Sequence, residues 1–323
     1  MPRIAKEPLG ALPAKLDFDL SGLGGTRRFA LAALRRGLTG PKPDVVVCGH
    51  LYLLPVCALI AKLRGARLDL LIFGIDAWEP TGRIADRLTG MVDHVVSISQ
   101  VTLDRYLRWA RPPRAGTALL PNAVHAADYG VGPKAPDLVE TFGLAGRTVL
   151  MTFGRLAARE RAKGFDRMIE VLPMLRAEDP SIIYVIAGVG DDRLRLEEKA
   201  ARRGVAEHVV FTGLVPEARK ADYFRLADAY VMPSHGEGFG FVFLEAMACG
   251  VPAVASRTDG GVEAIRGGEI GITVDPEDPV SVRDGVMAAL ARPRGVPAGL
   301  SYFSFENFTA RLRAILFPNA AKG

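Results

Sequence analysis

Cysteine is scarce in this chain: three in 323 residues, at positions 48, 57 and 249. Widely spaced and set among apolar neighbours, they suit neither a disulfide framework nor a zinc site, so a reducing cytoplasm is the expected setting. Long apolar runs are missing too. The longest, Leu51 to Leu63, is too short for a bilayer and carries Pro55. The opening MPRIAKEPLGALPAK lacks a continuous apolar core, so no signal peptide is expected. No run of basic residues interleaves with aromatics, which speaks against nucleic acid as a partner. Net charge is only +5, and the excess sits in one half. Residues 1–146 hold 18 Lys+Arg against 13 Asp+Glu, whereas 147–323 hold 23 of each. That surplus makes the first half the candidate for contact with an anionic membrane, at the inner face of the cytoplasmic membrane, or with an acidic acceptor. A scatter of solvated arginines is the plainer reading.

What is present is the composition of a globular protein, 49% hydrophobic and 24% charged, long enough for two domains. A short apolar strand, a turn and an amphipathic helix recur along the chain. The first half offers strands at Asp44–Cys48, Leu68–Phe73, His94–Ile98 and Thr117–Leu120. The second offers Thr148–Phe153, Ile182–Ala187, Val209–Thr212, Ala229–Met232, Pro252–Ala255 and Ile272–Val274. Most are unbroken Val/Ile/Leu/Ala runs, the pattern of strands buried on both faces. Alternation with helices such as Phe165–Arg176, whose last turn Pro173 threatens, predicts parallel sheets covered on both sides. The second half alone fills one doubly wound domain, with a linker expected near Gly130–Pro136. Ligands in such folds bind beyond the carboxyl ends of the strands, so the loops entering helices are the place to search.

Two loops carry chemistry. EGFGFVFLEAMACGVP, Glu237 to Pro252, follows the strand ending at Met232. Glycines 236, 238 and 240 bare the backbone where a helix begins, a ready position for phosphate oxygens. The helix, near Phe241 to Cys249, ends at Gly250. Glu237 falls in the loop and Glu245 one turn inside, and a carboxylate accepts two sugar hydroxyls at once. Among apolar neighbours, a lone buried Glu245 is costly without a purpose. The second loop leaves the strand Thr148–Phe153 at Gly154-Arg155 and enters a helix at Lys163-Gly164. It puts two cations at the same sheet edge, suited to clamping a diphosphate.

Together these strings resemble the signature of the family 4 retaining glycosyltransferases of GT-B architecture, in which seven residues separate two carboxylates, as they separate Glu237 and Glu245. Val209 to Ser234 is similar to that family's base-binding segment, and Pro121-Asn122-Ala123-Val124 to the turn before its hinge. The resemblance implies an α/β fold of two Rossmann-like doubly wound domains facing a cleft. The expected divisions are an acceptor-side domain at 1–132, a nucleotide-sugar domain at 133–303 and a C-terminal helix at 304–323 returning to the first domain. It implies transfer of a hexose from a UDP- or GDP-sugar to a glycan or lipid-linked acceptor without a metal or other cofactor. Arg155 and Lys163 would hold the diphosphate, Glu237 the sugar and Glu245 the ribose. Gly154, Gly238 and the amides of Phe239, Gly240 and Phe241 would meet sugar and phosphate, and Leu214 and Val215 would frame the base. His50, Asp76 and His235 are further cleft candidates.

The first half departs from that pattern. Gly22-Leu23-Gly24-Gly25 imitates the family's opening glycine loop, yet only RIAKEPLGALPAKLDF precedes it. The spacing predicts that the usual first strand, loop and helix are missing, as in a shortened or mis-started chain. In LLIFGIDAWEP, Phe73 stands where the family often has histidine. A nucleotide-sugar-binding protein without turnover is therefore the competing reading, and an epimerase or hydrolase of the same architecture lacks an evident acid/base. Asp17-Phe18-Asp19, a D-x-D of the metal-dependent architecture, follows no buried strand. Gly188-Val189-Gly190 follows a strand, but Arg193 breaks the dinucleotide fingerprint.

Overall fold

The computed structural model describes residues 19–22, 24–159 and 161–317. Two compact units divide the chain discontinuously. One takes the residues up to Ile72, Glu79–Val96 and Leu107–Ala118; the other takes Phe73–Trp78, Ser97–Tyr106 and the chain from Leu119 onward.

The first unit is built on a four-stranded sheet in simple order, β1 (Val45–Cys48), β2 (Arg67–Ile72), β3 (His94–Ser97) and β4 (Gly116–Leu119), with β1 and β2 parallel. Helix α1 (Thr26–Thr39) precedes β1, α2 (Leu54–Arg64) joins β1 to β2, and α3 (Arg83–Leu88) lies between β2 and β3. Burial falls on α2, β2 and β3: Leu54, Ala58, Leu70, Ile72 and Val95 are buried, whereas α1 buries no side chain. Gly22, Gly24 and Gly25 lead into α1. The segment expected to lack a strand before them, with Asp17 and Phe18 of the D-x-D, lies outside the described residues.

The second unit holds a six-stranded sheet of β5 (Thr148–Phe153), β6 (Ile182–Ala187), β7 (Val209–Gly213), β8 (Ala229–Met232), β9 (Ala253–Ser256) and β10 (Ile272–Val274). Its order is β10-β9-β8-β5-β6-β7, and every registered pair is parallel. Counted from β5, this is the 3-2-1-4-5-6 order of a doubly wound sheet, with its switch point between β5 and β8. The unit's helices are α4 (Gln100–Leu107, all but its last residue), α5 (Pro136–Thr141), α6 (Phe165–Glu178), α7 (Arg193–Arg202), α8 (Lys220–Leu226), α9 (Phe241–Ala248), α10 (Gly261–Ala264), α11 (Pro279–Leu290) and α12 (Phe305–Leu316). The expected strands all form, and four have the predicted bounds. Their unbroken apolar character has a plain cause. Val149 and Met151 enter one buried cluster with Phe243 and Leu244 of α9, while Leu150 enters a second with Met168 and Leu172 of α6. Water reaches neither face.

Helix α6 continues through Pro173 to Glu178, two residues beyond the expected end. The proline ring is exposed, while Val171, Leu172 and Leu175 anchor that turn in the core, so packing outweighs the lost hydrogen bond. Helix α9 ends in a Schellman motif: Val251 N–H donates to Ala246 O and Gly250 N–H to Met247 O, with Gly250 at φ 74. The expected linker is strapped at its start. Gly130 N–H donates to Ala248 O, and Arg225 donates to the carbonyls of Tyr129 and Gly130. No helix among the described residues is long and apolar enough to cross a membrane.

Candidate functional site

The carboxyl ends of β5 and β8 flank the switch point, and the two loops picked out by sequence leave from them. They lie against each other because their glycines allow it. A Cβ on Gly164 would sit 2.7 Å from Pro233 O, and one on Gly236 would sit 2.6 Å from Ala162 Cβ. His235 N–H donates to Ala162 O at 2.8 Å. This contact brings Lys163 Nζ to 3.1 Å from Glu237 Oε2, with the two side chains 22% and 15% exposed. The cation expected on a diphosphate thus neutralises the loop carboxylate in this structure. Arg155 is exposed at the exit of β5, next to Gly154. Glycines 188 and 190 back this loop from β6: a Cβ on either would meet the carbonyl of Gly154 or Leu156 within 2.0 Å. Close backbone approach accounts for that glycine pair.

The Glu237 loop is held from behind by a residue that the sequence reading passed over. Asp259 is fully buried, accepting Ser234 Oγ–H at 2.7 Å and Glu237 N–H at 2.9 Å on one oxygen, and Gly261 N–H at 3.0 Å on the other. Burial, only partly offset by these donors, pushes its pKa up to about 6. Gly260 N–H donates to Glu237 O at 2.8 Å, which closes the strap. A carboxylate-bearing Asp-Gly-Gly at the end of a strand was the available signal. Gly238 is pinned further by Ser99, whose hydroxyl donates to Gly238 O at 2.6 Å, and by Gly74, whose Cβ would lie 3.3 Å from Gly238 Cα. Glu263 accepts the amides of Gln100 and Val101 at the start of α4.

Gly240, at φ 90, opens α9 with no side chain capping its first turn. Phe241 is half exposed, and Phe239 is buried edge-on against Phe303. One turn in, Glu245 is 8% exposed. It is not the lone buried carboxylate that its apolar neighbours suggested. Its Oε1 accepts Tyr129 Oη–H at 2.8 Å and Lys220 Nζ at 2.6 Å, whereas its buried Oε2 has no partner among the described residues. An orphaned buried carboxylate oxygen is expensive, and a ligand hydroxyl would relieve it. Tyr129 carries no sequence signal, and Lys220 lies in the segment similar to the family's base-binding stretch without being marked there, since the approach of both to Glu245 depends on the chain path.

The other candidates are placed less centrally. Leu214 is exposed and Val215 half buried just after β7. His235 is exposed and pairs with Glu277 at 2.9 Å. Asp76 lies half buried in the turn Ile75–Ala77, and Trp78 beside it is covered by Arg105, whose Cζ is 3.9 Å from the ring centre. His50 belongs to the first unit. It stacks on Tyr52 and helps line a hollow of about 450 Å³ with Gly24, Gly25 and Phe29. Asp19 accepts the amide of Ser21, and no cluster of three or more potential metal-ligating side chains occurs among the described residues.

Parallel sheets of four and six strands, the larger with paired loops at its switch point, define the GT-B fold class. Comparison agrees. The structure of Anabaena Alr3699/HepE in complex with UDP superposes with a TM-score of 0.74 at 20% identity, covering 90% of this chain and 82% of that one. The family described as glycosyl transferases group 1 matches residues 145–297. A 2-deoxystreptamine N-acetyl-D-glucosaminyltransferase of Streptomyces fradiae is 30% identical over 317 residues, 91% of this chain and 72% of that protein. A GDP-mannose-dependent alpha-(1-6)-phosphatidylinositol monomannoside mannosyltransferase of Mycolicibacterium smegmatis is 35% identical over 256 residues, 76% of this chain. The chain belongs to the group 1 glycosyl transferases. It spans 66% of the length of that mannosyltransferase and 57% of the Mycobacterium tuberculosis protein of the same name.

Proposed function

We propose that this protein is a retaining glycosyltransferase that moves a hexose from a UDP- or GDP-sugar to a glycan or lipid-linked acceptor. The observation that carries the reading is the pairing, at one sheet edge, of the Lys163–Glu237 loops with a buried Glu245 whose second oxygen has no partner among the described residues. Glu245 would accept a ribose hydroxyl, and the glycine-bared start of α9 would take phosphate and sugar oxygens. Arg155 and Lys163 would hold the diphosphate and stabilise it as it leaves, which is the electrostatic work a metal does elsewhere. Lys163 must then be shared between Glu237 and the phosphate, leaving Glu237 to turn to the sugar. Leu214 and Val215 would frame the base. The relatives' names favour GDP-mannose as the first donor to try and an inositol-containing lipid as the first acceptor.

Calorimetric titration of UDP and GDP without added metal tests the site. Glu245→Ala, and Arg155→Ala combined with Lys163→Ala, should each weaken binding at least tenfold; unchanged affinity in both rejects it. Binding without transfer or donor hydrolysis favours a donor-binding protein that lacks turnover. Helix α1 carries Arg27, Arg28, Arg35 and Arg36, no acidic residue and an exposed Leu31. We read it as the face for an anionic membrane at the cytoplasmic side. Flotation with phosphatidylglycerol vesicles, lost when the four arginines are replaced by glutamine, checks that.

A further inference from the structure

A carboxylate with two open oxygens grips a vicinal diol with both of them. Glu245 has only one uncommitted, the buried Oε2, which has no partner among the described residues. The terminal carboxylate torsion of glutamate is soft, so its own geometry does not decide which oxygen faces a ligand. Two neighbours decide it. Lys220, the first residue of α8, brings its ammonium to 2.6 Å from Oε1 and 5.7 Å from the centre of the Phe153 ring. Tyr129 reaches the same oxygen from before the second unit's first strand. Its ring sits edge-on to Phe224, its carbonyl accepts Arg225, and the following amide is tied to α9. The tyrosine stays a donor, because burial and then the charge of Glu245 raise its pKa far above the ordinary phenol value.

We propose that Tyr129 and Lys220 are positioning residues that make Glu245 a one-sided acceptor, committing Oε1 and leaving Oε2 for a single ribose hydroxyl of the bound nucleotide. This rests on the donor-site reading above and adds a consequence to it: the two ribose hydroxyls are recognised unequally. One donates to Oε2, and its loss strands that oxygen again. The other meets an oxygen already holding two donors, so its loss costs little.

The test uses whichever of UDP and GDP binds the wild-type protein more tightly, with its 2′-deoxy and 3′-deoxy forms, by calorimetry. Wild-type protein should lose about tenfold or more with one deoxy form, the worth of a hydrogen bond to a charged acceptor, and less than about threefold with the other. This arm needs no variant. Tyr129→Phe and Lys220→Met should each weaken the parent nucleotide and shrink the gap between the deoxy forms, while Lys220→Arg restores both. Equal losses with the two deoxy forms, or wild-type affinity and an unchanged gap in Tyr129→Phe and Lys220→Met, overturn the proposal. Glu245→Gln separates the two failures. If it weakens binding while the Tyr129 and Lys220 variants do not, the donor site stands and its positioning pair falls. If it too binds as wild type, or if neither nucleotide binds the wild-type protein, the donor-site reading fails and takes this one with it.

Discussion

Replacing Gly260 with alanine asks one methyl group to occupy space that the donor loop's backbone already fills. An added Cβ would lie 2.2 Å from Gly238 O, 2.4 Å from Gly238 C and 2.8 Å from Phe239 N. Carbon needs about 3.4 Å from such atoms, so the loop must retreat by roughly 1 Å or the Asp259–Gly261 turn must give way. The substitution isolates this clash. Gly260 has φ −64 and ψ −11, ordinary helical values, so alanine brings no backbone strain there. By restricting the unfolded chain it even gains about 0.4–1 kcal/mol. Overpacking against fixed backbone costs about 1–3 kcal/mol, and the net loss should be about 1–2 kcal/mol. In a unit of this size that lowers the melting temperature by about 2–4 °C per kcal/mol. The functional effect should be larger, because Glu237 and Phe239 flank the displaced Gly238. A shift of about 1 Å at a reacting centre costs on the order of a hundredfold in turnover. The assay pairs thermal melting with GDP and UDP titration and donor turnover. Gly295→Ala serves as control, since a Cβ there meets nothing within 4 Å. Should Gly260→Ala melt at or above wild type and keep its nucleotide affinity and turnover, the packing argument for this loop is wrong.

Two further outcomes follow from named groups. Asp259 has its folded pKa raised to about 6 from 3.8, so its contribution to stability is fully present below about pH 4 and is lost as pH rises through 6. The loss is about 3 kcal/mol; melting of wild type against Asp259→Asn between pH 4 and 8 should show the wild type losing ground by that order, and a constant difference would contradict it. Pro173 leaves α6 without one interior hydrogen bond while its ring is exposed, so Pro173→Ala should raise stability by about 1–2 kcal/mol without changing nucleotide affinity. A lower denaturation midpoint would show that the proline is needed there.

The strands were legible because a sheet covered on both faces leaves its mark as unbroken apolar runs, and Thr148–Phe153, Ile182–Ala187, Ala229–Met232 and Ile272–Val274 appear with the predicted bounds. The Glu237 and Lys163 loops were legible because glycines and charges concentrate where strands hand over to helices. Asp259 was within reach but overlooked: its Asp-Gly-Gly follows β9 as the two chosen loops follow β5 and β8. Ser99, Gly74, Tyr129 and Lys220 were out of reach. Each touches the site from 25 or more residues away along the chain, and although Lys220 and Gly74 lie in strings that resemble the family, nothing in those strings marks the contact itself.

By itself, then, the sequence determined the alternation of strand and helix, the sheet edge at which chemistry belongs, and the residue types offered there. Periodicity and glycine placement are local properties, written into consecutive residues. Tertiary structure alone decided how those groups are used. It set Lys163 against Glu237, so that the cation and the carboxylate neutralise each other. It laid Gly238 against Gly74 and Gly260, where only bare backbone fits. And it brought two donors to one oxygen of Glu245 while giving the other no partner among the described residues. Those are contacts between distant segments, and their geometry comes into being only when the sheet, with its switch point, has folded.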